Sequence, residues 1–131
     1  MKMLRNYYFE NLFDEEKSME YEKSMELEIY YNKVLFMAKK IENDETVIGK
    51  SSTMGFVDID ISSIDSQKEF SRLILKILRE NDKYYVTDIS SNIVYLNKTR
   101  LEKNTKYEID DGDILLGISP NNAFGIKVKR R

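Results

Sequence analysis

The chain has 131 residues and contains neither cysteine nor histidine. Without cysteine there is no disulfide framework and no thiolate metal site. Without histidine the usual general base near neutral pH and the commonest metal ligand are gone. Histidine-based catalytic triads and histidine-ligated zinc are therefore excluded, and an enzyme is the least supported class. No metal and no cofactor is expected. Nor is there an apolar run near the roughly 20 residues that span a bilayer, or an apolar stretch of signal-peptide type at the N-terminus. A cytoplasmic protein with no membrane insertion is the expectation.

Charge of one sign is also scarce, since 21 basic residues stand against 23 acidic ones for a formal net charge of −2. Nothing in that balance points to nucleic acid as a partner. The charge is unevenly spread. Glu10, Asp14, Glu15, Glu16, Glu20, Glu22, Glu26 and Glu28 face only Lys17 and Lys23 between residues 10 and 28, eight acids to two bases. Residues 1–24 therefore read as an acidic leader, helical or flexible. Leu4, Tyr8 and Leu12, with Phe9 and Phe13, have the i, i+4 spacing of a short amphipathic helix. The pentapeptide EKSME occurs at 16–20 and again at 22–26, a period of six that matches neither a helix face nor a heptad.

From Met25 onward the texture is β. LEIYY (27–31) and VLFMA (34–38) flank Asn32-Lys33, and ETVIGK (45–50) precedes VDIDI (57–61). LILKIL (73–78) joins YYVTDI (84–89) through residues 80–83, which predicts a hairpin. VYL (94–96), KYEI (106–109), DILLGI (113–118) and FGIKV (124–128) follow. Short apolar runs with short connections predict a sandwich or barrel, with the domain over 25–131. LILKIL is apolar on both faces and is expected at the centre of a sheet. The corner Ser90-Ser91-Asn92 stands out, because it turns the chain between two apolar runs without a glycine.

Several patterns have ordinary explanations. Asp110-Asp111-Gly112-Asp113 lacks the length and closing glutamate of a calcium loop and reads as a hairpin turn. Asp58 and Asp60 alternate with apolar residues and read as a solvated strand face rather than a catalytic pair. Tyr84 and Tyr85 read as core and surface positions of one strand. Lys127, Lys129, Arg130 and Arg131 read as a charged terminus. Gly49 and Gly55 lack the spacing of a phosphate-cradling loop.

The order of the loops carries a resemblance. Val47-Ile48-Gly49-Lys50 comes first, then Val57-Asp58-Ile59-Asp60-Ile61, then Phe70-Ser71-Arg72. Asp88-Ile89-Ser90-Ser91-Asn92 follows, and Ile109-Asp110-Asp111-Gly112-Asp113-Ile114-Leu115-Leu116-Gly117 closes the series. In this order they resemble a forkhead-associated (FHA) domain across residues 27–128. The resemblance implies an all-β fold, a sandwich of two twisted, mostly antiparallel sheets with about eleven strands. It also implies a non-enzymatic module that binds a phosphothreonine-bearing protein partner, an adaptor in Ser/Thr kinase signalling or complex assembly. The alternative is a degenerate scaffold of the same fold that binds its partner without regard to phosphorylation.

Residue by residue, the resemblance assigns the phosphopeptide to Lys50, Ser71, Arg72, Ser91 and Asn92. Gly49, Ile74 and Ile93 are expected to support the site. Three positions depart from the family pattern. Ile74 stands where a histidine supports the serine loop, Ile93 where a glycine follows the asparagine, and Val94 where a threonine offers a hydroxyl. Lys50 replaces an arginine, giving a point charge instead of a two-pronged donor.

Overall fold

The structure is a computed structural model and describes residues 24–50, 57–65 and 68–130. The amphipathic and acidic segments of residues 1–23 and the whole of the 51–56 loop lie outside the described residues. Eleven strands follow one another along the chain. They are β1 (Met25–Tyr31), β2 (Val34–Lys40), β3 (Glu45–Gly49), β4 (Ile59–Asp60), β5 (Leu73–Glu80) and β6 (Lys83–Asp88), then β7 (Ile93–Leu96), β8 (Thr99–Arg100), β9 (Lys106–Ile109), β10 (Ile114–Ile118) and β11 (Ala123–Arg130). A single turn of 3-10 helix, Ser62–Ile64, follows β4. No helix among the described residues is long and apolar enough to cross a membrane.

The strands form two sheets, a six-stranded one in the order β2-β1-β11-β10-β7-β8 and a five-stranded one in the order β4-β3-β5-β6-β9. All pairs are antiparallel except β3–β4. Period-two alternation sets the faces. Met25, Leu27 and Ile29 of β1 point into the core beside Ile126 and Val128 of β11, while Glu26 and Glu28 stand opposite Lys129 and Lys127 on the outer face. Opposite charges across a strand pair add modestly to the pairing. β5 is the third strand of its sheet, with Ile74, Leu75 and Ile77 all buried, as its two apolar faces predict. Tyr84 is buried, whereas Tyr85 lies outside with the Lys106 ammonium 4.7 Å above its ring.

The hairpins at 31–34 and 80–83 turn through paired left-handed residues, Asn32 with Lys33 and Asn81 with Asp82. This mirror-image turn matches the twist of antiparallel strands. Two expectations fail. The 57–61 stretch yields only a two-residue strand, because the Asp58 carboxylate accepts the Val47 amide at 2.8 Å and the chain turns at Ser62. The 110–113 turn is not a hairpin. It carries the chain from β9 in one sheet to β10 in the other. Its carboxylates accept backbone amides, Asp113 from Asp110 at 2.8 Å and Asp111 from Arg130 at 2.7 Å.

Candidate functional site

Three connections meet at one end of the sandwich: the segment between β4 and β5, the β6–β7 corner and the β10–β11 turn. Phe70 anchors the first by placing its ring edge against Phe124 of β11, with centroids 5.1 Å apart. Gly117 makes room for the Phe124 ring, since a Cβ there would fall 2.6 Å from it. Gly49 is needed for a similar reason. A Cβ on it would sit 2.1 Å from the Arg72 carbonyl oxygen, to which the Lys50 amide donates at 2.8 Å. Ile74 is fully buried beneath the loops, and its carbonyl accepts the Ile89 amide at 3.1 Å. Gly49 and Ile74 thus both lie under these loops.

The glycine-free corner is built from side-chain acceptors. Asp88 Oδ1 accepts the Ser90 amide at 2.9 Å and the Ser90 hydroxyl at 2.7 Å, and the Asn92 amide donates to Ser90 Oγ at 3.1 Å. Such local bonds give the backbone a turn without a left-handed residue. Lys103 closes the corner from outside, its Nζ lying 2.8 Å from Asp88 Oδ2 and also donating to the Asn92 carbonyl. Ile93 has no positive φ and opens β7, so no glycine is required there. Val94 is buried in the core. A side chain at that position does not reach the rim, which corrects the expectation that the valine costs the site a hydroxyl.

The rim itself is a hydrogen-bonded lattice. Asn92 Oδ1 accepts the Ser71 amide at 2.9 Å and the Ser71 hydroxyl at 3.2 Å, while Asn92 Nδ2 donates to the Glu69 carbonyl at 2.9 Å. The Ser91 amide donates to Ser71 Oγ at 2.8 Å, and the two serine hydroxyls are 2.8 Å apart. Glu69 ties in the third connection, taking Ser119 Oγ at 2.7 Å, the Asn121 amide at 2.9 Å and Asn121 Nδ2 at 2.7 Å. The Ser119 and Asn121 donors hold the Glu69 carboxyl below the usual carboxylate range.

The cations are arranged unevenly. Lys50 Nζ is 2.7 Å from Asp65 Oδ2, and the Asp65 side chain is 0% exposed against 13% for Lys50. Burial alone would raise the Asp65 pKa, but the Lys50 bond and the amides of Glu69 and Phe70 together bring it below the usual value. Lys50 therefore reaches the rim with its charge compensated by a carboxylate. Arg72 is exposed, and no described residue pairs with its guanidinium. Lys68, also exposed, lines the same hollow as Lys50, Asp65, Phe70, Ser71 and Arg72. Sequence reasoning missed Lys68, Asp65, Glu69 and Lys103. For Lys68 the available signal was its place three residues before Ser71 in one loop; the others answer partners too distant in sequence to be seen.

No curated protein matches the chain by sequence. Full-length yeast Pml1p superposes with a TM-score of 0.68 at 22% identity, covering 82% of each chain. An engineered FHA domain with a Myc-pTBD peptide gives 0.67 at 15% identity, over 82% of this chain and 91% of that one. The N-terminal FHA domain of S. cerevisiae Rad53p in complex with a phosphothreonine peptide gives 0.59 at 16% identity, over 80% and 93%. At these identities the likeness is one of fold. The FHA domain family model matches residues 46–116, more than half of the chain, and the chain belongs to the FHA domain family.

Proposed function

We propose that this domain is a phosphopeptide-binding interaction module that takes phosphothreonine in a protein partner and acts as an adaptor beside Ser/Thr kinases. The observation that carries the reading is the 2.8 Å approach of the Ser71 and Ser91 hydroxyls, twenty residues apart in sequence, beside Arg72, which has no partner among the described residues. A phosphate carries about −1.5 to −2 charges and three strong acceptor oxygens at neutral pH. The two hydroxyls can rotate to donate to it. The Arg72 guanidinium offers a two-pronged contact on the same rim. Lys50 has spent one of its three N–H donors on Asp65 and retains two. Asn92 has spent one Nδ2 proton on Glu69, and the second is left for a carbonyl of the peptide backbone.

The domain has no histidine or cysteine with which to run acid–base or thiol chemistry, and binding is the activity this site supports. The compensation of Lys50 by Asp65 favours one second reading, a scaffold that holds its protein partner independently of phosphorylation. A degenerate phosphothreonine peptide library, with unphosphorylated and phosphoserine counterparts, separates the two. Selective retention of phosphothreonine peptides that disappears in Ser71→Ala supports the first. Equal retention of all three sets supports the second.

A further inference from the structure

Gly125 is a mid-strand glycine that the packing of the domain does not require. Its neighbours in β11, Phe124 and Ile126, are buried, so position 125 faces outward from the six-stranded sheet. A Cβ on it would meet nothing nearer than the Leu115 carbonyl oxygen at 3.8 Å, an ordinary contact, and its φ is not positive. Gly117, by contrast, is held to glycine by the Phe124 ring. A glycine inside a strand weakens it and often marks a close approach by another segment.

The surroundings of Gly125 are apolar where a solvated face would be polar. Antiparallel sheets that meet water alternate apolar-in with polar-out. β10 does not, since Leu115 is buried while Ile114 and Leu116 are 44% and 37% exposed. Leu116 stands between Gly125 of β11 and Tyr95 of β7, and Gly125 stands opposite Tyr30 of β1. Tyr30, Leu116 and Tyr95 thus form one row across the sheet, with a trough at Gly125. Contiguous exposed apolar surface of this kind marks an interaction site.

The chain carries a segment that fits it. Residues 1–23 lead into β1, which lies two strands from β10 in the same sheet. Leu4, Tyr8, Phe9, Leu12 and Phe13 are spaced for one face of a helix. The eleven-residue step from Phe13 to Ser24 spans up to about 36 Å. The trough row crosses β1 at Tyr30, about 20 Å from Ser24 at the rise of a strand. The charges between agree. Asp14, Glu15, Glu16, Glu20 and Glu22 are opposed in that step only by Lys17 and Lys23. The outer face near the start of β1 carries Lys40, Lys127 and Lys129 against Glu26 and Glu28.

We propose that residues 1–23 dock in cis on the outer face of the six-stranded sheet, as an amphipathic helix laid over Gly125 with its apolar side against Tyr30, Leu116 and Tyr95. The acidic step then passes over the lysines at the entry to β1. The inference does not rest on the phosphopeptide reading.

The test uses the full chain, whose lack of cysteine lets a single introduced one carry a nitroxide. The label is placed at Asn6→Cys, away from the apolar helix positions, and amide intensities of the isotope-labelled chain are read by NMR. Tyr30, Tyr95, Leu116 and Gly125 should lose intensity, while Tyr85 and Glu108 of the other sheet keep theirs. Leu116→Glu puts a charge in the patch and Gly125→Val fills the trough. The loss should disappear in both, and a cooperative thermal transition verifies that they fold. A loss that survives both variants, an even loss over the two sheets, or no loss at all overturns the proposal. Spin-labelled chain without isotope is also mixed with isotope-labelled chain without the nitroxide. No loss is expected in the mixture. A loss there equal to that of the single sample assigns the face to a second copy and overturns docking in cis.

Discussion

Lys50 Nζ lies 2.7 Å from Asp65 Oδ2, so the cation at the end of β3 is paired with a buried carboxylate of the loop before β5. The carboxylate is fully buried and also accepts the amides of Glu69 and Phe70 at 2.9 and 3.1 Å. It therefore fixes the loop that ends in Ser71 while removing one positive charge from the pocket.

Removing Lys50 leaves a buried charge without its counter-ion. Lys50→Met is expected to destabilise the domain by about 3 kcal/mol. Asp65→Asn removes the buried charge and keeps an acceptor for one of the two backbone amides, which reach different carboxylate oxygens, so the double variant should recover part of that loss. Urea unfolding of the four-member cycle reads the coupling. A coupling below about 1 kcal/mol, the range of an exposed pair, would show that the contact is not held.

The same pair predicts an acid dependence. The folded-state pKa of Asp65 is lowered, so the unfolded chain, with an ordinary carboxyl near 3.9, binds the proton first. The stabilisation is complete above about pH 4 and is lost as pH falls through the lowered value. Urea midpoints measured from pH 6 down to pH 3 should therefore drop more steeply for wild type than for Asp65→Asn. Parallel curves would remove Asp65 as a source of the acid sensitivity.

Arg72 is exposed and unpaired among the described residues, so its replacement separates binding from folding. Arg72→Ala should weaken phosphopeptide binding about 10- to 100-fold, the loss of one charge-assisted contact, with stability within about 0.5 kcal/mol of wild type. Arg72→Lys should restore only part of the affinity, because an ammonium keeps the charge and loses the fork. Calorimetric titration with chemical denaturation of the same samples gives both numbers.

Lys103 holds the Ser90–Asn92 corner through Asp88, whose side chain is wholly buried. Lys103→Met should cost about 2 kcal/mol through the unpaired carboxylate and displace the corner. The amide resonances of Ser91 and Asn92 should shift in the variant, and Lys103→Arg should return them toward the wild-type positions. Unmoved resonances would assign the corner's geometry to Asp88 alone.

Much of the fold is written in local pattern. The alternation in β1 and β11, the doubly apolar β5 and the Asn-Lys and Asn-Asp turns each state their structure within a few residues. What was not legible depends on distant partners. The 110–113 turn specifies a reversal but not which sheet receives the next strand. β4 is cut short because Asp58 serves the Val47 amide of a neighbouring strand. At the site, the loop order places Ser71, Ser91 and Asn92, and the structure brings them together. The sequence could not show that Lys50 is compensated by a residue fifteen positions away. It also could not show that Asp88 and Ser90 replace a glycine at the corner, or that Val94 faces the core.

The central claim is that the hydroxyls of Ser71 and Ser91, with Arg72 and Asn92, hold a phosphate. Its most direct test is a titration of the isotope-labelled domain with a phosphothreonine peptide and its unphosphorylated twin, followed by amide NMR. The account predicts saturable shifts of Ser71, Arg72, Ser91 and Asn92 with the phosphopeptide only. Shifts at those amides that are identical for the two peptides, or no shifts with either, would contradict it.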